Sequence, residues 1–208
     1  MSRERVTITI NKDVLSKIDK QIDRVKNRNR SHIIENIISE YLNLQKIKDV
    51  IIMAGGEEAN KSIDAIKDAI IRLKAFGIDE IIIALGYLGE NIKKALGDGK
   101  ELNIKIDYLD KGEGSGGSIL KLKNALKNTF IVVNLDKKIE IDYKMAIDFH
   151  KKTGKSATVA TNDIKTLRGI YILEPEIISL LPKGFSMLEE DIFPRLIKEN
   201  KLNIYPII

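Results

Sequence analysis

Two different hydrophobic patterns divide the chain. In the segment RVTITI near the N-terminus, apolar and polar residues alternate: the apolar ones are Val6, Ile8 and Ile10, and the polar ones are Arg5, Thr7 and Thr9. A period of two predicts a strand with one apolar face. The segments NKDVLSKIDKQIDRVKN and NRNRSHIIENIISEYLNLQ follow, with apolar residues three or four positions apart. This spacing predicts two amphipathic helices, the second capped by Asn29 or Ser31.

From about residue 49 onward, short apolar runs alternate with helical patterns. The predicted strands are 50–53, 80–85, 104–109, 129–134, 156–161 and 169–173, and the predicted helices are 62–76, 89–96, 118–127, 142–153, 174–181 and 188–199. Such alternation is typical of a doubly wound, mainly parallel α/β sheet. The sequence therefore predicts two domains, a small head over residues 1–46 and an α/β body over residues 49–208.

Composition narrows the class of protein. The chain has 208 residues, 43% of them hydrophobic and 31% charged, and it contains no cysteine. No apolar run approaches the roughly 18 residues of a membrane-spanning helix, and the charged N-terminus does not resemble a signal peptide. Disulfides and thiolate metal sites are excluded by the absence of cysteine. We expect a cytoplasmic globular protein.

Positive charge is concentrated in the head. Residues 1–50 carry 11 Lys and Arg against 7 Asp and Glu, whereas the rest of the chain carries 24 against 23. A basic head predicts an anionic partner, with nucleic acid the first candidate. A lone strand also leaves its backbone groups unpaired, which predicts a homodimer in which two such strands form an antiparallel ribbon.

These features of the head resemble the ribbon-helix-helix repressors over about residues 3–45. The resemblance implies double-stranded DNA as the partner, with the ribbon in the major groove. The implied base-reading residues are Arg5, Thr7 and Thr9, and the implied phosphate-gripping residues are Asn29, Arg30 and Ser31. Assembly beyond the dimer on DNA is an open alternative, and no membrane contact is expected.

The body resembles the sugar-1-phosphate nucleotidylyltransferases over residues 50–206. The segments that carry this resemblance, in order, are VIIMAGG, GIDEIIIALGYLGENIKKALGDG, GSGGSILKLKNAL, TFIVVNLDKKIEIDYKMAIDFHKKTGKSATVA and GIYILEPEIISLLPKGFSMLEEDIFPRLIKENKLNIYP. The resemblance implies nucleotide-binding positions at Gly55, Gly56, Gly114, Ser115 and Asp136, with Asp136 as the magnesium carboxylate.

The body also departs from that family. The double glycine is followed by EEANKS instead of a loop with a further glycine, an arginine and a lysine-proline, and only NDIKTLR separates SATVA from GIYILEPE, where the family inserts sugar-binding strands. The second magnesium carboxylate has no counterpart before Ile208. Losing one preorganised cation typically costs about 10²- to 10³-fold in rate. These departures predict a catalytically degenerate domain.

Three glycines and one histidine could also have functional roles. Gly112, Gly114 and Gly117 fit the G-x-G-x-x-G pattern of a dinucleotide fold, although they could equally be a flexible lead into a helix. His150 has no evident Ser, Cys or carboxylate around it in the sequence and is predicted to lie at the surface.

The sequence alone therefore favours a sequence-specific, DNA-binding transcriptional regulator. In this hypothesis the body is a catalytically inactive nucleotidyltransferase-like domain that senses a nucleotide-like effector or assists assembly, and no cofactor or metal is required. The alternative is a nucleotidyltransferase enzyme acting on sugar phosphates with magnesium, in which the head serves for dimerisation or DNA binding. A third hypothesis is pure scaffolding.

Overall fold

The computed structural model describes residues 5–23, 29–41, 47–55, 63–86, 89–110, 113–135 and 139–207, with the side chains of 39–41 excepted. The chain divides into two compact units, Met1–Lys46 and Ile47–Ile208. Gly56, Gly112 and Asp136 lie outside the described residues, so the structure gives no position for these predicted site residues.

The described residues of the N-terminal unit form two helices, α1 (Lys12–Asp19) and α2 (Arg30–Tyr41). The side chain of Asn11 accepts a hydrogen bond from the Asp13 amide and so caps α1, a role for which asparagine is well suited. Residues 5–10 form no strand in the single chain. The helices of the ribbon-helix-helix prediction are present, whereas its ribbon is not confirmed. Helix α1 ends at Asp19, before Ile22, where the amides of Gln21 and Ile22 donate to carbonyls three residues back instead of four.

The C-terminal unit is a seven-stranded sheet covered by helices. Its strands are β1 (Val50–Ala54), β2 (Glu80–Leu85), β3 (Lys105–Leu109), β4 (Phe130–Asn134), β5 (Ala157–Thr161), β6 (Ile170–Leu173) and β7 (Leu202–Pro206). Its α-helices are α3 (Ile63–Ala75), α4 (Gly89–Leu96), α5 (Gly114–Lys121), α6 (Tyr143–Thr153) and α7 (Phe193–Lys198). Short 3₁₀ helices span Lys100–Leu102 and Pro175–Leu180, and a π-helical turn spans Leu188–Ile192.

The strand order is β3-β2-β1-β4-β6-β5-β7. All neighbouring pairs are parallel except those of β6, which runs antiparallel to both β4 and β5. The prediction of a mainly parallel α/β sheet is therefore confirmed at that level, while the doubly wound pattern is interrupted by one reversed strand. Strand β7 was not predicted. Its five residues come directly after a segment with a helical pattern, and only the first of the five is buried.

Apolar side chains fill both faces of the sheet. In β1 and β4 every residue is buried, as expected for central strands that helices cover on both sides. One core cluster packs α3, α4 and α6 against one face, and a second packs α5, α7 and the turns around Ile177 and Leu188 against the other. This double burial fixes the positions of the strand ends, where the candidate site lies.

Candidate functional site

The strand order reverses its direction of growth between β1 and β4. From β1 the chain adds β2 and β3 on one side, and β4 pairs with β1 on the other, with Met53 opposite Asn134. Ligands of open α/β sheets bind in the crevice beyond the carboxyl ends of the strands at such a reversal. Gly55 follows β1 at this edge and is exposed. The topology therefore places Gly55 and the end of β4 at one crevice.

Two glycines make the floor of this crevice on its β1–β2 side. Ala54 pairs with Leu85, so that Gly55 and Gly86 follow the ends of adjacent strands. A Cβ atom at Gly55 would lie 3.7 Å from the Cα of Gly86. Because neither residue has a side chain, a flat ligand can approach both backbones closely. Gly55 was predicted as a nucleotide-binding position; Gly86 was not singled out.

The glycine-rich start of α5 packs against the segment that precedes the π-helical turn. Gly114 has a φ of +77°, and a Cβ there would lie 2.3 Å from the carbonyl oxygen of Ser186. The amides of Gly116 and Gly117 donate hydrogen bonds of 2.9 and 3.4 Å to that same carbonyl. Donors of this kind would hold the pyrophosphate in a dinucleotide fold. Since a protein carbonyl already engages them, the geometry argues against the G-x-G-x-x-G interpretation and against a flexible lead.

Ser115 turns its hydroxyl into the protein and belongs to a buried polar cluster. The cluster consists of four largely buried residues from separate parts of the chain: Ser115, Asn134, Tyr171 and Glu189. The Ser115 hydroxyl donates to Oε2 of Glu189 at 3.0 Å and accepts from the Leu188 amide at 2.9 Å. Ser115 therefore holds the α5 start to the π-helical turn and does not present its hydroxyl to the crevice.

Glu189 is the centre of this cluster. Its Oε1 accepts from the Tyr171 hydroxyl at 2.5 Å and from the Asn134 amide at 3.1 Å. All three donors to the carboxylate are neutral, and a buried carboxylate depends on such donors to offset its lost hydration. Burial and, secondarily, the Glu189 carboxylate raise the pKa of Tyr171 far above its usual value, so this hydroxyl stays a donor.

Sequence reasoning did not find Glu189, Tyr171 or Asn134 as site residues. Glu189 stands in a run of three acidic residues, Glu189–Asp191, of which only Glu189 is buried. The π-helical turn at Leu188–Ile192 decides which of the three faces inward, and π-turns are frequent at functional sites. The acidic residues within the apolar segment FSMLEEDIFPRL were the available sign that a carboxylate is buried there. The spacing of an α-helix, however, does not indicate which of the three acidic residues faces inward.

The predicted DNA-contacting residues are all in the N-terminal unit and exposed. Arg5, Thr7 and Thr9 lie in the extended segment before α1. The Asn29 side chain accepts from the His32 amide at 2.9 Å and so caps α2. The Arg30 guanidinium forms a two-pronged ion pair with Asp19 at 2.6 and 2.7 Å, which lowers the pKa of that carboxyl. Ser31 lies in the first turn of α2.

No group of three or more His, Asp or Glu side chains capable of holding a metal ion occurs within the described ranges. Asp136, the predicted magnesium carboxylate, follows β4 by two residues in the sequence and is not among those ranges. The same ranges contain no helix that is long and apolar enough to cross a membrane.

His150 is buried, and the prediction of a surface position is wrong. Its Nδ1 lies 2.8 Å from the Thr158 hydroxyl and its Nε2 lies 3.0 Å from Oε1 of Glu174. The Thr129 hydroxyl donates to the same Glu174 oxygen at 2.8 Å. These partners come from distant parts of the sequence, so the linear sequence around His150 contains no sign of them.

The mixed seven-stranded sheet is consistent with a nucleotidyltransferase-like α/β fold. A model of the Nucleotidyl transferase family matches residues 58–168, which is more than half of the chain. The chain belongs to this family.

The chain is similar to enzymes whose names specify three different nucleotides. A UTP–glucose-1-phosphate uridylyltransferase of Synechocystis sp. is 26% identical over 174 residues, covering 60% of this chain and 45% of the relative. A mannose-1-phosphate guanylyltransferase of Mycobacterium tuberculosis is 25% identical over 168 residues, covering 64% and 47%. A probable glucose-1-phosphate cytidylyltransferase of Bacillus subtilis is 26% identical over 179 residues, covering 62% and 70%. The chain thus spans about half the length of the first two relatives.

Among solved structures, HddC from Yersinia pseudotuberculosis has the same fold. Its TM-score is 0.62 at 20% sequence identity, and the match covers 76% of this chain and 90% of HddC. Identity at this level supports the fold alone.

These comparisons overturn the first functional hypothesis. A DNA-binding transcriptional regulator with a catalytically inactive body is not what the relatives indicate, because they are sugar-1-phosphate nucleotidylyltransferases. They support the enzyme alternative. The hypothesis failed because it gave the missing loop cations and the basic head more weight than a resemblance extending over the whole body.

Proposed function

We propose that this protein transfers a nucleotidyl group from a nucleoside triphosphate to a sugar 1-phosphate. The observation that carries the proposal is that relatives naming three different nucleotides share this one reaction. A phosphate oxygen of the sugar phosphate attacks the α-phosphorus of the triphosphate. The bond between the α-phosphorus and its bridging oxygen breaks, and pyrophosphate leaves.

The crevice suits the nucleotide part of this reaction. The backbones of Gly55 and Gly86 offer a surface without side chains at the ends of two neighbouring strands. Gly114 and Ser115 act indirectly, because they lock the start of α5 onto the π-helical turn. Gly56 and Asp136 are assigned from the sequence resemblance. Asp136, together with phosphate oxygens of the nucleotide, would hold magnesium, which would stabilise the charge on the reacting phosphates.

The test is pyrophosphate release from a panel of ATP, GTP, UTP, CTP and dTTP, each with glucose 1-phosphate or mannose 1-phosphate. We expect release that requires magnesium, and an Asp136→Asn variant that is at least about tenfold slower. Asp107→Asn is the matched control, because Asp107 is an exposed residue of β3. Since the loop after Gly56 lacks the family's arginine and lysine-proline, turnover should be slow and the assay needs hours at high enzyme concentration. Absence of a nucleotide-sugar product by mass spectrometry in every pair would refute the proposal.

We also infer that the N-terminal unit joins two copies of the chain. Among its described residues only Ile18 and Ile33 are buried apolar side chains, while Val6 is 75% exposed and Ile8 is 54% exposed. A unit of this size with so small a core needs a partner to be stable. A second copy is the simplest partner, because two segments 5–10 paired antiparallel about a two-fold axis satisfy each other's backbones. That pairing would form the ribbon of the ribbon-helix-helix prediction.

Light scattering after size exclusion tests this dimer. Ile8→Glu would bury a charge in the interface and should shift the mass from dimer toward monomer at micromolar concentration. Thr7→Glu, on the opposite face of the predicted strand, should leave the mass unchanged. A monomeric parent chain, or an equal effect of both variants, would contradict the inference.

A further inference from the structure

The loop between β5 and β6 reaches the end of β4, beside the crevice. Strands β4 and β5 both run antiparallel to β6, so their carboxyl ends lie at the same edge of the sheet. The backbone amide of Asn134, which ends β4, donates a 3.0 Å hydrogen bond to the carbonyl of Gly169, which joins the loop to β6. Neighbouring strands are about 4.8 Å apart, so Gly169 lies one strand spacing from β4 and two from β1. The residues before Gly169 therefore border the crevice on the side away from Gly55 and Gly86.

The carboxylate of this loop, residues 162–168, is used within the loop itself. Asp163 accepts hydrogen bonds from the amides of Lys165 and Thr166 at 3.1 and 3.3 Å, and from the Thr166 hydroxyl at 2.9 Å. The apolar side chain of Ile164 is 69% exposed. The one carboxylate of the loop is thereby turned to its own backbone, whereas a site that reads sugar hydroxyls needs such an acceptor facing the ligand.

Arg168 is the cation of this loop that lies next to the crevice. It directly precedes Gly169, it is partly exposed, and its carbonyl accepts from the Thr161 hydroxyl at 2.7 Å. The preceding Leu167 is buried, which together with that bond fixes the backbone of Arg168. Lys165, the other cation of the loop, is exposed and three residues farther along the chain. An arginine has five N–H donors in a fixed fork, so it can bind a phosphate through two of them and still keep a protein partner.

A cation at this position meets a requirement of the proposed reaction. Two phosphorylated substrates must meet at the crevice, and their negative charges repel each other. The loop after Gly56 lacks the arginine and the lysine-proline of the family. The glycine backbones on the β1 side suit the nucleotide, which leaves the β6 side of β4 for the acceptor. Arg168 borders that side.

We propose that Arg168 binds the phosphate of the acceptor, and that the acceptor is selected by this phosphate with little selection among sugars. The proposal rests on the nucleotidyl transfer proposed above and assigns the group that holds its second substrate. A site built to hydrogen-bond a substrate hydroxyl rejects an analogue without it by about 10⁴- to 10⁵-fold. Glucose 1-phosphate, mannose 1-phosphate and galactose 1-phosphate should instead bind with Kd values within about tenfold of one another.

Acceptor binding is measured on the full chain without nucleotide, by isothermal titration calorimetry with these three sugar phosphates and with neutral glucose. Arg168→Gln should weaken the binding of each sugar phosphate by about 10- to 100-fold, because charge-assisted hydrogen bonds are lost. Arg168→Lys keeps the charge without the fork and should lie between the parent and Arg168→Gln. Lys165→Gln is the matched control. It removes the same charge from an exposed position of the same loop and should change binding by less than about threefold.

The proposal is overturned if the parent binds no sugar phosphate, if glucose binds as tightly as glucose 1-phosphate, or if the three Kd values differ by more than about tenfold. It is also overturned if Arg168→Gln binds like Lys165→Gln. Thermal unfolding shows whether each variant is folded, and Arg168→Lys decides if Arg168→Gln is not.

The same variants separate this proposal from the proposed reaction. Binding that depends on Arg168, in a chain that releases no pyrophosphate with any triphosphate, would refute the reaction and keep the phosphate site. Pyrophosphate release that is as fast in Arg168→Gln as in the parent would refute the role of Arg168 and keep the reaction.

Discussion

At the scale of single residues, the most consequential group is the Glu189 carboxylate. It joins α5, β4 and β6 through Ser115, Asn134 and Tyr171, all of which reach it from segments far apart in the sequence. Removing one donor from a buried carboxylate leaves part of its desolvation uncompensated. The cluster should therefore respond strongly to the loss of a single hydroxyl.

Tyr171→Phe is the cleanest such change. It removes the 2.5 Å hydrogen bond to Glu189 but keeps the ring, which packs edge-to-face on Phe193 at 5.0 Å. We expect the free energy of unfolding to fall by about 1–3 kcal/mol, measured by urea denaturation.

Tyr205→Phe is the matched control, since the Tyr205 ring is partly exposed and packs on Phe149 through its ring alone. Its free energy of unfolding should change by less than about 0.5 kcal/mol. Equal losses in the two variants would show that the Tyr171 hydroxyl is not energetically special.

Residue positions were predictable where the backbone alone determines them. Gly55 follows the central parallel strand β1, as the sequence predicts, whereas its contact with a nucleotide stays a prediction. Glu189 was missed because its burial depends on a π-turn, and Ser115 was assigned to the crevice although its hydroxyl faces the protein. Partners 18 to 74 residues away hold Glu189 in place, and partners 73 and 74 residues away hold Ser115.

At the scale of elements, the His150 contacts tie α6 to β5 and to the residue after β6. Burial lowers the pKa of His150, with the Glu174 carboxylate opposing this effect only in part. The neutral imidazole fits the geometry, because Nε2–H can donate to Glu174 while Nδ1 accepts from the Thr158 hydroxyl. With a second proton on Nδ1, the Thr158 hydroxyl would have to accept this hydrogen bond and could no longer donate it.

This arrangement predicts a pH dependence of stability. A histidine whose pKa is lowered in the folded state takes up a proton more readily when the chain is unfolded. Its contribution to the free energy of unfolding is therefore complete above about pH 6.5 and is lost as the pH falls below that value. The slope is at most about 1.4 kcal/mol per pH unit for one proton.

The comparison is His150→Gln against His32→Gln, the only other histidine of the chain. Between pH 7.5 and 5.5, the parent and His32→Gln should lose stability on acidification, whereas His150→Gln should be flatter. An unchanged slope in His150→Gln would assign the dependence to other groups.

Element boundaries were predicted well where local patterns determine them and poorly where distant partners do. The helix predicted at 89–96 is observed at Gly89–Leu96. Helix α5 begins at Gly114, four residues before its predicted start, because the Ser186 carbonyl supplies acceptors for its first amides. The antiparallel direction of β6 has no counterpart in the local sequence, since apolar runs do not encode strand direction.

At the scale of the whole molecule, the two units differ in how completely they bury their apolar residues. The C-terminal unit has a core on each face of its sheet, whereas the N-terminal unit leaves Val14, Ile37 and Ile38 about half exposed. We therefore expect the C-terminal unit to contain the catalytic crevice and to be stable without the N-terminal unit.

Deletion of residues 1–46 tests this division. The shortened chain should be monomeric by light scattering, keep its cooperative thermal unfolding, and retain the pyrophosphate-releasing activity of the full chain to within about threefold. Loss of cooperative unfolding would show that the C-terminal unit depends on the head.

The central position of β1 also has a consequence for biosynthesis. Ala54 ends β1, and its partner β4 begins at Phe130, 76 residues later. At about 5–20 residues per second, a ribosome needs roughly 4–15 s to make that stretch. During this interval one edge of the apolar segment VIIMA has no strand to pair with, and exposed apolar strand edges promote aggregation. Chaperone demand during synthesis should therefore be greatest between the emergence of β1 and that of β4.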